Sequence, residues 1–309
     1  MKTDIILDKF KLLSGSKNHD EYNLISINSN LYIGRNYENN LCLFLKFCSN
    51  HTLPFGRKTK GLQLIFYAAN TFSIKGISSI DNWGCIVCTD KEKDLLFATL
   101  IEGVVDLAHK NTNFSPEDFS NYIYEWQDLL SNEKTLNNNE LIGLWGELYF
   151  IISTPYPERT INYWRGPESK VFDFSKKGID IEVKTSLKGH QHVFNEDQLI
   201  SSNHKSKRYV HSLYVQEDFS GGNTTTQLID KIRKLLKKQG PFEKKLLSYG
   251  YNGPLSSEKP LCIKGERMIS INNIPKVLNK DIGVYNVRFE SNLSFSETEN
   301  ISNILKDFK

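Results

Sequence analysis

The sequence predicts an α/β fold: a mixed sheet flanked by helices, preceded by a β-rich N-terminal module. Three observations carry this. Residues 1 to about 90 alternate like strands, and the apolar period lengthens to a helical one only near Leu95. Residues 140–152 are apolar almost all round, the pattern of a buried helix. Residues 179–186 alternate between two faces. Ile179, Ile181 and Val183 form an apolar β-branched face, and Asp180, Glu182, Lys184 and Ser186 share the other.

The length of 309 residues suffices for one large domain or two ordinary ones. A net charge of +3 neither demands nor excludes nucleic acid, because a binding groove needs local charge rather than a global excess. No segment is apolar for long enough to span a bilayer, so no membrane partner is expected. The first ten residues carry Asp4 and Asp8 where a signal peptide would be apolar, and a cytoplasmic location is expected. Five cysteines, an odd number, argue for reduced thiols. Cys85 and Cys88 have zinc-like spacing, but no second pair lies nearby, and in a strand residues three apart face opposite sides.

Taken in order, strands are expected at 31–33, 41–47, 62–67, 72–77 and 84–87, with turn residues between them. A helix follows on Leu95, Leu96, Thr99, Leu100, Val104 and Leu107, with Asp90 as its cap. The polar stretch 110–115 marks a boundary, giving a module over 1–115 and a second domain over 116–309. Ser115-Pro116-Glu117-Asp118 opens a helix running to about Leu130. The next helix, 140–152, ends before Pro155 and Pro157. Strands around 171–174 and 178–185 are joined as a hairpin by residues 175–178. Residues 192–199 read as a short strand and a helix start, 209–215 as a strand, and 225–238 and 242–249 as helices. Strands at 261–271 and 284–289 precede a last helix at 299–308.

Chemistry concentrates in the middle of this order. Glu147 sits inside the apolar helix, where an unpaired carboxylate would protonate or destabilise the fold, so it needs a Lys, an Arg or a metal. Gly143 and Gly146 beside it suggest close approach of another backbone. Glu147, Asp173 and Glu182 are thus three carboxylates on a helix, a strand end and a strand, with Lys184 on the same face as Glu182. Hard oxygen ligands of this kind suit Mg²⁺, with Mn²⁺ able to substitute. Such ions activate water and stabilise the leaving oxygen of a phosphodiester, and the lysine can orient the water or offset charge.

Asp173, followed after eight residues by Glu182-Val183-Lys184, resembles the PD-(D/E)XK nuclease motif. Leu144-Trp145-Gly146-Glu147-Leu148 resembles the first core helix of that fold. With Trp164-Arg165-Gly166-Pro167, Phe172-Asp173-Phe174, residues 181–186 and Asp197-Gln198-Leu199, the chain resembles bacterial PD-(D/E)XK motif proteins found beside restriction and phage-defence genes. The resemblance implies a restriction-endonuclease-like domain and a Mg²⁺-dependent endonuclease acting on DNA. Asp173, Glu182 and the Val183 carbonyl would be metal ligands, Glu147 a direct or water-mediated ligand, Lys184 the catalytic lysine, and Gln198 a contact to metal or phosphate. Other defence-system proteins are the partners it implies, and a homodimer is one arrangement open to it. A nuclease fold used as a non-catalytic subunit that binds nucleic acid or proteins is the alternative.

Each residue also has a plainer reading. Glu182 and Lys184 form an ordinary strand-face ion pair, Asp180 is a flanking surface charge, and Gln198 bonds a helix start. His190 and His192 are surface residues, and Trp145 and Trp164 are core. The basic runs 204–208 and Lys231, Arg233, Lys234, Lys237, Lys238, Lys244 and Lys245 are solvated faces or phosphate contacts.

Overall fold

The computed structural model describes the chain apart from residues 1, 20, 49–50, 69–80, 112, 132–135, 168–171, 177, 200–205, 252, 256, 278–286 and 307–309, and apart from the side chains of residues 131, 197 and 198. The expected strand at 72–77 lies outside the described residues, as do Val171, His204, Lys205 and residues 284–286. Contacts divide the chain into two compact units, Met1–Glu133 with Lys237–Leu247, and Lys134–Leu236 with Ser248–Lys309.

The first unit opens with helix α1 (Thr3–Lys11), where alternation predicted strand. Ile6 and Phe10, four residues apart, bury the face that decides it. Strands β1 (Asn23–Ser26), β2 (Leu31–Arg35), β3 (Leu41–Phe47), β4 (Arg57–Lys58), β5 (Leu62–Tyr67) and β6 (Asn82–Cys88) form an antiparallel sheet in the order β1-β2-β3-β6-β5-β4. Helices α2 (Asp94–Lys110) and α3 (Pro116–Ser131) follow. Asp90 caps a single 3-10 turn ahead of α2, taking the amide of Glu92. Ser115 and Asp118 cap α3 reciprocally.

One sheet face packs Ile33, Leu43, Leu45 and Ile86 against Phe97, Ile101, Phe119, Ile123 and Trp126 of α2 and α3. The other face is covered by its own aromatic layer, including Tyr32, Phe44 and Trp83. Because α3 is part of this core, the boundary expected at 115/116 falls inside the first unit. All five cysteines are free thiols.

In the second unit, helix α4 (Asn138–Ser153) starts at a capping box between Asn137 and Glu140. Pro157 does not merely end it but opens one further turn, α5 (Pro157–Thr160), ahead of Trp164. Then come β7 (Phe174–Lys176), β8 (Ile179–Ser186), β9 (Gln191–Asn195), α6 (Glu196–Leu199), β10 (Lys207–Glu217) and α7 (Thr225–Leu235). Helix α8 (Gly240–Tyr249) belongs to the first unit as far as Leu247, and β11 (Leu261–Ser270), β12 (Arg288–Asn292) and α9 (Ile301–Lys306) complete the second. The sheet is mixed, in the order β11-β10-β8-β7. β8 runs antiparallel to β7 and parallel to β10, and β10 runs antiparallel to β11. β9 and β12 form a separate antiparallel pair.

α4 lies on β8 and against α7. A side chain at Gly146 would collide with Thr185 Oγ1 on β8, so this glycine sets the helix–sheet distance. Gly143 faces open space, so only one of the two glycines marks a close approach, and the neighbour there is a side chain. On the opposite sheet face Val210 and Ile269 pack with Phe172, Phe194 and Leu199.

Candidate active site

The β7–β8 hairpin turns through Gly178, whose φ of 87° suits glycine. Its pairing runs from Lys176↔Ile179 to Phe174↔Ile181. One residue further on, the strands part. Asp173 Oδ2 accepts the Val183 amide at 2.7 Å, so a carboxylate caps the ladder where a backbone carbonyl would otherwise sit. The segment before it is tied in: the Arg165 amide donates to the Asp173 carbonyl at 2.8 Å, and Trp164 pairs with Phe174. Arg165 therefore aligns the backbone of Asp173.

β8 reads as expected, with Ile179, Ile181 and Val183 buried. Glu182 is buried too and forms an ion pair with Lys184 at 2.8 Å. The Lys184 amine also stands 5.6 Å above the Phe194 ring of β9. Asp180, on the same face, takes the Ser175 hydroxyl at 2.6 Å and stands outside the cluster, as its place in the motif implied.

Glu147 is buried on α4, and among the described residues its hydrogen-bond partners are Trp164 and Tyr249 rather than a Lys or an Arg. Trp164 Nε1–H donates to its Oε2 at 2.5 Å, and the Tyr249 hydroxyl donates to the same atom. The two rings stack at 5.4 Å and 16°. Trp164, expected as plain core, and Tyr249, which nothing in the sequence singled out, hold one oxygen of Glu147 and leave the other uncommitted by these bonds. Burial pushes the Glu147 carboxyl up to about 7; the two hydrogen bonds oppose this, the charge of Glu182 adds to it, and Lys184 offsets part. The Asp173 carboxyl is enclosed although the residue keeps partial exposure. Burial first, then the charges of Glu147 and Glu182, raise it well above the usual carboxylate range, against the Val183 amide and Lys184.

Asp173, Glu182, Glu147 and Lys184 are thus brought within electrostatic reach of one another. The backbone of Gln198 lies on α6, and its side chain lies outside the described residues. His192 is a correction: alternation along β9 turns it and Phe194 inward, and it is buried. Its Nε2 and the Nδ1 of half-buried His190 each lie 2.7 Å from the buried Ser212 hydroxyl. Sequence reasoning missed Ser212, which sits beside Lys184 in the β8–β10 register.

The basic helix residues are engaged locally. Lys231 donates to Asn223, Arg233 pairs with Asp230, and in the first unit Lys238 pairs with Asp106. Lys244 pairs with Glu125 and stands over Tyr122 and Trp126. These bonds favour the structural reading of that run.

The donor set fits a hard divalent cation: burial and the charge of Glu182 oppose the ionisation of Glu147 and Asp173, a conflict that positive charge relieves. Among the described residues, no three His, Cys, Asp or Glu side chains are already grouped as a ready ion cage. Each acid is instead engaged by a neighbour within the chain. Also among the described residues, no helix is long and apolar enough to cross a membrane.

Comparison with curated proteins and with solved structures returned no match. The family described as "Putative PD-(D/E)XK family member, (DUF4420)" matches residues 6–294, which takes in both units and every residue of this cluster. The α/β architecture and that match lead to one conclusion: the chain belongs to this PD-(D/E)XK family.

Proposed function

We propose that the protein is a Mg²⁺-dependent endonuclease that hydrolyses phosphodiester bonds of DNA, in a restriction or anti-phage defence setting. The observation that carries this reading is the gathering of Asp173, Glu147 and Glu182 around Lys184, where β7 leaves β8. Asp173, Glu182, the Val183 carbonyl and Glu147 would hold Mg²⁺ or Mn²⁺. Such an ion supplies Lewis acidity and a water of lowered pKa. Asp173 and Glu182 present oxygens from a strand end and a strand, the rigid elements that hold a site in register. Lys184, released from Glu182, would orient the attacking water or offset charge on the phosphoryl oxygens. The defence setting, with DNA and other defence proteins as partners, comes from the resemblance of the motifs.

The engagement of each acid by an internal partner favours a second reading, a nuclease fold serving as a non-catalytic subunit. Plasmid cleavage with Mg²⁺ or Mn²⁺ separates the two. Asp173→Ala and Lys184→Ala should each lower cleavage by about 100-fold or more, the scale of lost electrostatic stabilisation. Cleavage that survives both changes sinks the nuclease assignment. A wild-type protein that binds Mn²⁺ yet cuts no DNA or RNA supports the second reading.

A further inference from the structure

We propose that His192, Ser212 and His190 form a proton relay that links the Lys184 side of the site to solvent. Four observations on the page carry it. First, Ser212 Oγ sits 2.7 Å from His192 Nε2 and 2.7 Å from His190 Nδ1. A hydroxyl carries one proton, and Ser212 is fully buried, so that proton goes to one ring while the oxygen accepts from the other. The row is therefore directional. Second, one end abuts the site. Ser212 pairs with Lys184 in the parallel register of β8 and β10, and Phe194, two residues from His192 on the same inward face of β9, lies under the Lys184 amine. Third, the other end is open: His190 is half-buried, whereas His192 is 4% exposed. Fourth, β11 makes room for the outer ring: a Cβ at Gly265 would lie 2.8 Å from His190 Nε2, so a glycine there lets the ring occupy this place.

The transfer balances without charge separation. A proton arriving at His192 Nδ1 displaces the Nε2 proton onto Ser212 Oγ. The hydroxyl proton passes to His190 Nδ1, and His190 Nε2 releases its own to water. Both rings start and end neutral with exchanged tautomers, and the reverse passage, which brings a proton in for the leaving oxygen of the phosphodiester, resets the row. No bond to substrate is made or broken. Hydrolysis of a phosphodiester frees a proton from the attacking water, and this row carries it away from a site enclosed by protein.

The relay rests on the nuclease reading above, and the test keeps the two apart. Single-turnover cleavage of plasmid DNA with Mn²⁺ is measured for the wild type, Ser212→Ala, Ser212→Thr and His190→Ala, with Mn²⁺ affinity, DNA affinity and melting temperature as controls. Ser212→Ala and His190→Ala should each slow the cleavage step roughly tenfold or more, the low end of proton-transfer contributions, with both affinities unchanged. Ser212→Thr, which keeps the hydroxyl, should retain the rate. Added imidazole should restore His190→Ala, since the vacated place reaches solvent, and should leave Ser212→Ala slow. Rates within twofold of wild type for Ser212→Ala and His190→Ala, or a His190→Ala defect that imidazole does not restore, overturn the relay and leave the nuclease standing. A folded wild type that cleaves nothing overturns both.

Discussion

Glu147 Oε2 takes hydrogen bonds from both Trp164 and Tyr249, and this pair shows how the site is held at the scale of single residues. Removing the phenol in Tyr249→Phe takes away a bond that favours the ionised carboxylate. The acid should then hold its proton more firmly, and Mn²⁺ affinity at neutral pH should fall by about tenfold, as for losses next to metal ligands elsewhere. Isothermal titration calorimetry checks this, and unchanged affinity would remove Tyr249 from the site.

His192 yields a pH prediction. Burial first, then the charges of Lys184 and His190, lower it to about 3. Its folded value lies below the unfolded one, so the unfolded chain binds the extra proton. Its contribution to stability is full above pH 6.5 and is lost as pH falls toward 3. The wild type should lose roughly 1.4 kcal/mol per pH unit in that window relative to His192→Asn, read from urea unfolding. Parallel curves would place His192 in water.

Asp173, Glu182, Lys184 and Glu147 were legible because motif spacing and a charge inside an apolar helix both show in one dimension. Tyr249 was not, because it reaches Glu147 across 102 residues with no local signature. His192 was legible in principle: inward Phe194 two residues later places it on the same face.

At the scale of elements, α4 and β8 form the frame, and two glycines on one helix test it. Gly146→Ala should destabilise by about 1–3 kcal/mol, the scale of overpacking, because its Cβ meets Thr185 on β8. Gly143→Ala faces open space and should stabilise by roughly 0.5–1 kcal/mol through helix propensity. Urea unfolding of the two variants decides, and equal effects would refute this account of the helix–sheet contact. The strands over 41–47, 62–67 and 179–186 were readable because alternation and β-branching agree there. α1 falls inside the stretch to about residue 90 that alternation assigns to strands, since its Ile6 and Phe10 face is short and flanked by further apolar residues. α5 was hidden because a proline that ends one helix also suits the first turn of the next.

At the scale of the molecule, the first unit is closed by α3, through Phe119, Ile123 and Trp126. The polar stretch 110–115 looks like a linker, yet it connects two helices of one core; composition reports exposure and not which core a helix joins. A fragment over 116–309 strips these three side chains of the sheet they cover. It should bind a hydrophobic dye through the uncovered α3 while the second unit within it still melts cooperatively, and a fragment that binds no dye would place α3 elsewhere.

The return of 237–247 to the first unit has a consequence for synthesis. Leu247 belongs to the first core, and Gln239 offers its amide to Glu102. A ribosome making the chain therefore releases the sheet and its three helices long before the segment that completes them. With about a hundred residues intervening, at roughly 5–20 residues per second, the nascent first unit waits on the order of 5–20 s with its core incomplete. During that interval the emerging carboxylate-bearing strands are made by a chain whose first half is still unfinished.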